Sequence, residues 1–326
     1  MASIVSGMNP VVSLILQRIS IGVLLILAIS ALLFIGVELL PGDFARNFLG
    51  QAATPEAVAN IRKELGLDEP LLSRYLEWLG GVLTGDFGES WTNRASVNIQ
   101  LFKRLSNTLF LAAVAVIFAV PISVGLGMVA VFFRNRLPDH VINVLSLAAI
   151  SMPEFFIGYL IIFFFALMLG IGDGPPIIPS SPTWSFANVQ LIALPVLTLV
   201  VVVLAAMMRM TRAAILNIME SAYIETAELK GVKMMTIIRK HAAPNAISPI
   251  INVVALNLAY LVVGVIVVEV IFAYPGMGQY FVDAVTVRDM PVVQACGMVF
   301  AGVYIILNTL AEVGAILANP RLMHPK

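Results

Sequence analysis

Six uncharged apolar runs punctuate the chain: 19–37, 105–133, a pair at 141–153 and 155–172 parted only by Glu154, then 183–208, 242–268 and 290–311. A helix needs about 20 mostly apolar residues to cross a bilayer. In hydrocarbon the backbone has no water to bond, so each run is expected to be a helix rather than a lone strand. The short alternating segments of a membrane barrel do not occur. The pattern predicts an all-α integral membrane protein with six spans. The first run is too long for a secretory leader and leads into Glu38-Leu-Leu-Pro41-Gly42-Asp43, which reads as an uncleaved anchor. Residues 1–41 then form a terminal segment and first span, 42–104 an insert, 105–318 a five-span core and 319–326 a tail.

The insert has its own punctuation. Thr54-Pro55-Glu56 reads as an N-cap with proline at the first helical position. That helix runs through Val58, Ile61, Arg62 and Leu65 to Gly66, a C-terminal stop. Leu71, Leu72, Tyr75, Leu76 and Leu79 recur at helical spacing and lead to Gly80-Gly81. Gly85-Asp86-Phe87-Gly88 and Trp91 read as turn and loop. The insert suits a cap on the bundle or a docking surface, and the two are compatible. Inside the spans, Pro121, Gly125, Gly127, Pro153 and Pro195 mark expected bends.

Lysine and arginine in the short loops set the orientation. Arg134 and Arg136 follow the second span, and six basic residues from Arg209 to Lys240 follow the fourth. Arg321 and Lys326 lie in the tail. The stretch 173–182 has neither residue type, and the loop after the fifth span has only Arg288. Both termini and the loops after spans two and four are expected in the cytoplasm, and the insert outside.

One polar stretch, 220–249, lies between two spans and reads as helix, glycine stop and second helix. Ile215, Ile218, Met219, Ala222 and Leu229 share one side at helical spacing, with Glu220, Glu225 and Glu228 elsewhere. Lys230 suits the negative end of a helix, and Gly231 can adopt the left-handed conformation that ends one. Pro244 suits the first turn of the helix that becomes the fifth span. A surface helix tied at both ends to spanning helices can transmit a push.

Composition narrows the class. Only 12% of residues are charged and 60% are hydrophobic, with mean hydropathy +0.97. Nineteen basic and nineteen acidic residues balance, so no basic field points to nucleic acid. The lone Cys296 cannot pair within the chain. His140, His241 and His324 lie at span ends, and there is no Ser/His dyad, H-E-x-x-H or paired intramembrane Asp for catalysis. The phosphate loop G-x-x-x-x-G-K-[ST] is missing, so ATP is not bound in that way. No cofactor and no metal site are expected.

The pattern Tyr223-Ile-Glu225-Thr226-Ala227-x-x-Lys230-Gly231, followed by Arg239-x-His241-Ala-x-x-Asn245-Ala-Ile-x-Pro249, resembles the EAA loop of permease subunits of ATP-binding-cassette importers. Further landmarks resemble the first permease subunit of dipeptide and oligopeptide importers. They are Leu40-Pro41-Gly42-Asp43, Leu65-Gly66-Leu67-Asp68-x-Pro70-Leu71, Tyr75-x-x-Trp78-Leu79, Glu269-x-x-Phe272-x-Tyr274-Pro275-Gly276-x-Gly278, Arg288-Asp289-x-Pro291 and Asn319-Pro320-Arg321. The resemblance implies a type I, MetI-like permease fold in the bacterial cytoplasmic (inner) membrane. It implies a second homologous permease, two ATPase subunits and an extracytoplasmic solute-binding protein as partners, within a lipid bilayer. Carried over by position, the coupling loop is 213–245, and Ser221, Tyr223, Glu225, Thr226, Ala227, Glu228, Lys230 and Gly231 contact the ATPase. Ala227 and Gly231 are its small contact positions. Glu225 and Glu228 stand where this family often has basic or neutral residues, and Pro244 where it often has a basic one, so the loop is more acidic than usual.

Carboxylates within spans are rare and costly. Glu154, after Pro153, and Glu269 are candidates for the pathway or a gate. A hydrogen bond to the neighbouring loop is the structural alternative for Glu269, and Glu312 reads as an interfacial charge. Pro175, Pro176, Pro179, Pro182 and Trp184 suit a rim or a plain connection. Peptides or peptide-like solutes are the expected cargo. Nickel, glutathione and opine-like solutes stay open within the family, and a lone secondary transporter outside it.

Overall fold

A computed structural model of the protein describes residues 10–39, 42–168 and 189–318. The expected rim at Pro175 to Trp184, the Leu40-Pro41 landmark and the tail from Asn319 lie outside these residues.

Four helices are long and apolar enough to cross a membrane: α1 (Pro10–Glu38), α5 (Val97–Phe132), α8 (Val189–Met219) and α13 (Met290–Ala318). Two bent pairs bring the total to six. One pair is α6 (Leu137–Ser151) with α7 (Glu154–Ile161), which a π-helical stretch extends to Met168, and it bends by 107°. The other lies along α11 (Ala243–Ile271), where Met234–Ile247 meets Pro249–Val262 at 57°. The insert contains α2 (Phe44–Leu49), α3 (Pro55–Glu64) and α4 (Leu71–Thr84). Among the described residues three further short α-helices occur: α9 (Ala222–Leu229), α10 (Met234–Thr236) and α12 (Met277–Val287). No strand occurs among the described residues, only an isolated bridge between Glu89 and Ser96.

The local rules explain most boundaries. Thr54 Oγ1 accepts from the Ala57 amide at 3.2 Å, capping α3, and Gly66 beyond its end has φ +64°. Pro153 forces the preceding Met152 into extended backbone, φ −96° and ψ 134°, and this opens the break between α6 and α7. Glu154 therefore does not interrupt a continuous span; it opens a new helix, where an acidic side chain suits the positive end. Pro121 and Pro195 sit inside α5 and α8 without breaking either. The second bend falls instead at Pro249, which the sequence reading did not mark. Gly80-Gly81 does not end α4. The helix runs on to Thr84, and Gly85 takes the left-handed turn at φ +79°.

The core is a sandwich of α5, α8 and α11. Leu111 and Ala115, Leu199 and Met207, and Leu261 and Val265 are buried against one another. Gly127 brings α5 onto α8; a Cβ there would come within 2.9 Å of Thr211 Cγ2. A second cluster joins Val37 of α1 to Val97 and Leu101, to Met277 and Ala284 of α12, and to Val292 and Cys296 of α13. Much of α1, including Leu24, Leu32 and Ile35, remains exposed and apolar, as expected of a surface that lipid covers.

Candidate functional site

The stretch after α8 folds into a seated surface helix. The chain breaks at Glu220–Ser221. Ser221 does not cap α9 with its hydroxyl, which turns back to the Ile218 carbonyl at 2.5 Å. At the other end the Val232 amide reaches the Ala227 carbonyl at 3.2 Å, and the Gly231 amide the Glu228 carbonyl at 2.9 Å. With Gly231 at φ +74°, this is the Schellman closure that a left-handed residue permits. The chain then turns through α10 and a π-helical segment, Ile237–Ala242, into α11.

One buried side chain seats α9. Ile224 is fully buried among Ile215 of α8, Ile237, Ile238 and Ala242 of the π segment, and Ala246 of α11, with Ala227 packed beside it. The helix therefore rests on the ends of two spans at once. Its other side is open: Tyr223, Glu225, Thr226, Glu228, Leu229, Lys230 and Gly231 are exposed. Leu229, placed on the inward face by its spacing from Ile215 and Ile218, is 83% exposed. The break at Glu220–Ser221 resets the helical phase, so a spacing counted through it misplaces every later residue. Exposed Met234, Met235 and Ile247 extend the apolar surface, and Arg239 and Lys240 border it.

Glu269 lies at the far end of α11 and is fully buried. Thr108 Oγ1 donates to its Oε1 at 2.6 Å, and the amides of Gly278 and Gln279 donate to Oε2 at 2.6 and 3.3 Å. Those amides open α12, where a carboxylate satisfies donors that have no partner within the helix. Asn107 and Tyr274 lock the same turn: Asn107 Nδ2 donates to the Pro275 carbonyl and Tyr274 Oη to the Asn107 carbonyl, at 2.8 and 2.9 Å.

Glu154 differs. It is half-buried, with no hydrogen bond or ion pair to any described residue, and its carboxylate lies beside Gly264 of α11. A Cβ at Gly264 would come 3.0 Å from its Oε2, so the glycine leaves the carboxylate room. Glu154 and Glu269 are thus not brought together.

Two further polar anchors escaped the sequence reading. Asp139 is almost wholly buried in the first turn of α6. It takes Arg212 of α8 through both oxygens at 2.9 Å, with the Asn135 amide at 3.0 Å and Asn143 at 2.7 Å. Asp289 receives the Ser90 hydroxyl and the amides of Trp91 and Thr92, at 3.0 and 3.2 Å, and so holds the insert's loop to the start of α13. The only advance signals were an acid after Pro138 and an Arg-Asp pair before a proline. Outside the spans, Asp43 caps α2 through the Ala45 amide and pairs with Arg62 at 2.7 Å. Burial pulls its carboxyl upward, but the hydrogen bonds from Arg62 and Ala45 outweigh that and hold it below the usual aspartate value.

Apolar helices long enough to cross a bilayer, packed as a bundle with no strand among the described residues, mark an all-α membrane protein. Comparison with known proteins agrees. Residues 119–324 match the family of binding-protein-dependent transport system inner membrane components, and residues 11–112 match the N-terminal region of such components. The chain belongs to this family and is a transmembrane permease of the ATP-binding-cassette importer class, dipeptide and oligopeptide type. It is 35% identical over 299 residues to the glutathione transport system permease protein GsiC of Salmonella choleraesuis (strain SC-B67), covering 92% of this chain and 95% of that one. Against the protein of the same name from Escherichia coli (strain K12), identity is 34% over 296 residues, covering 91% and 94%.

Proposed function

We propose that this chain forms half of the translocation pathway of an ATP-driven importer for short peptides and peptide-like solutes. A second permease completes the pathway, two ATPases grip α9, and a solute-binding protein delivers the cargo. Glutathione, which the relatives carry by name, is itself a tripeptide and falls within this class. The basic-residue asymmetry supports an orientation with both termini and α9 in the cytoplasm. The ATPase contact is formed by Ser221, Tyr223, Glu225, Thr226, Ala227, Glu228, Lys230 and Gly231. Pro153 and Glu154 line the pathway, and Glu269 fixes the turn that frames it.

The observation that carries this reading is the seat of Ile224 between α8 and the π segment that leads directly into α11. A force on α9 cannot move one span without the other, so the bundle becomes a two-state element biased by a partner. ATP-driven approach of the ATPases swings both spans and exchanges one pathway opening for the other. The test is uptake in proteoliposomes holding the assembled transporter. Labelled glutathione and a labelled dipeptide are offered with and without ATP and the binding protein. Uptake that needs both supports the reading. Equal uptake by vesicles holding the permeases alone overturns it in favour of a secondary transporter.

A further inference from the structure

We propose that α4, in the insert, lies within the membrane, in the leaflet on the insert's side, with a leucine stripe against lipid acyl chains. Three stripes run along this helix at spacings of four, three and four residues. Leu71, Tyr75, Trp78 and Val82 form the first; Leu72, Leu76, Leu79 and Leu83 the second; Ser73, Glu77, Gly80 and Thr84 the third. The middle of the first stripe packs on α1, where Phe34 meets Tyr75 and Trp78 at ring separations of 5.4 and 6.0 Å. The third is polar. The second is apolar and, apart from the partly buried Leu79, uncovered: Leu72, Leu76 and Leu83 are 69%, 57% and 76% exposed. An exposed leucine row beside a polar row is the pattern of a helix lying in a membrane interface.

Depth identifies the occupant. Along α1, Arg18 and Glu38 bracket an uncharged segment of about 30 Å at 1.5 Å per residue, the thickness of the hydrocarbon layer. Arg74 pairs with Glu38 at 3.1 Å, which fixes α4 at the boundary. The neighbouring Tyr75 reaches lower, with its hydroxyl 2.9 Å from Ser30 Oγ. Ser30 precedes Glu38 by eight residues, so this bond lies about 12 Å below the charged end. A phenol at that depth needs a partner inside the protein, and the buried Ser30 supplies one. The underside of α4 therefore sits below the membrane boundary.

The apolar surface is continuous as well. A groove of about 330 Å³ between the two helices is lined mostly by apolar side chains, Ala31, Phe34, Ile35, Leu71 and Leu72, together with Glu38. Leu39, just beyond α1, also lines it, and Leu32 of α1 is exposed as well. The bilayer surface of the first span thus runs without interruption onto the insert's second long helix. Arg74, Tyr75 and Trp78 are the charged and aromatic anchors expected at such a boundary. The insert is then a collar resting in the leaflet and moving with α1, whatever solute is carried.

Spin labels test this in the assembled transporter in liposomes. Single cysteines replace Leu72, Leu76, Leu83, Ser73, Glu77 and Thr84 in turn, in a Cys296→Ala background. Collision rates with oxygen and with a water-soluble nickel chelate are compared. The leucine positions should favour oxygen several-fold over the polar positions. Nickel access equal to oxygen at all six overturns the proposal, as does shielding of the leucine positions from both reagents, which marks a protein partner instead. The unaltered chain gives a second measurement: a photoactivatable phospholipid should label the peptide spanning 71–84. Labelling of α1 peptides without it refutes the assignment.

Discussion

Arg212 of α8 meets Asp139 of α6 through two parallel bonds of 2.9 Å, across 73 residues of sequence. The pair pins the start of the bent third span to the span that leads into α9. Asp139 is 2% exposed, while Arg212 remains partly open. Removing the guanidinium strands a buried carboxylate, a loss of about 3 kcal/mol for such a pair. Arg212→Ala should therefore lower the thermal midpoint of the purified complex sharply, and Asp139→Asn less. The double variant Asp139→Asn/Arg212→Gln should recover part of the loss. A midpoint unchanged in Arg212→Ala contradicts the pin.

Glu269 ties the end of α11 to the start of α12. A Cβ at Gly276 would fall on its carboxylate, so Gly276→Ala must either displace that side chain or open the turn. Glu269→Ala leaves the buried Gly278 amide without its acceptor and turns the Thr108 hydroxyl to the Arg104 carbonyl alone, at roughly 2 kcal/mol. Glu269→Gln keeps an acceptor for Gly278, and Thr108 can accept from the new amide while donating to the Arg104 carbonyl, 3.2 Å away. We expect low yield and early unfolding for Gly276→Ala and Glu269→Ala, with Glu269→Gln close to the parent. Size-exclusion profiles and thermal unfolding of the three variants decide this.

How far the sequence carried the fold depended on whether the determining contacts were local. Thr54, Pro55 and Gly66 bounded α3 as their own backbone preferences require, and Gly231 closed α9 for the same reason. Run length alone found the six apolar segments. Phase across a break was not local: Leu229 was counted through Glu220–Ser221 and came out on the wrong side. Nor was the end of α4, where packing of Tyr75 and Trp78 on Phe34 of α1 anchors a helix that runs past a Gly-Gly pair weakening it by only about 1 kcal/mol per glycine. The 107° bend between α6 and α7 was half legible, since Pro153 marked the place but not the angle. Asp139 gave no sign of a partner so far along the chain.

On α9 the exposed Leu229 and Tyr223 stand among Glu225 and Glu228, so the proposed grip of an ATPase on this helix calls for a groove with an apolar patch and a neutral or basic rim. Truncating an apolar anchor at an interface centre typically removes about 2 kcal/mol. Leu229→Ala should thus reduce ATPase retention in co-purification and slow uptake without changing the stability of the permease. The double reversal Glu225→Arg/Glu228→Arg should weaken the same association, most strongly at low salt. Full retention and uptake in both variants argues that the ATPases grip elsewhere.

The insert should respond to acid through Asp43. Its carboxyl lies below the ordinary value of 3.8, as a result of Arg62 and the Ala45 amide outweighing burial. A depressed folded value means the stabilisation is complete above the unfolded value and is lost as pH falls through the folded one. Protection of α2 and α3 against proteolysis should hold from neutral pH down to about 4 and decline below that. In Asp43→Asn this step should be absent and protection lower at neutral pH. The group is partly exposed, so the effect is small and best read as a difference between the two proteins. An identical acid profile for both removes Asp43 from the account.

Glu154 gives the sharpest test of the pathway, because its structural duties are few. It opens α7, has no hydrogen bond or ion pair to a described residue, and lies beside a glycine that leaves it space. Glu154→Gln should then fold and assemble as the parent does. If the carboxylate meets the amino group of a passing peptide, losing its charge removes a charge-assisted bond of about 1.5 kcal/mol, roughly a tenfold rise in KM. Solutes with a blocked amino group never make that bond, and their uptake should not change. The comparison is therefore between free and N-acetylated versions of one peptide, in parent and variant, at saturating binding protein. A loss confined to the free peptide places Glu154 in the pathway. Equal loss for both points to a role in helix packing, and no loss for either removes Glu154 from the pathway.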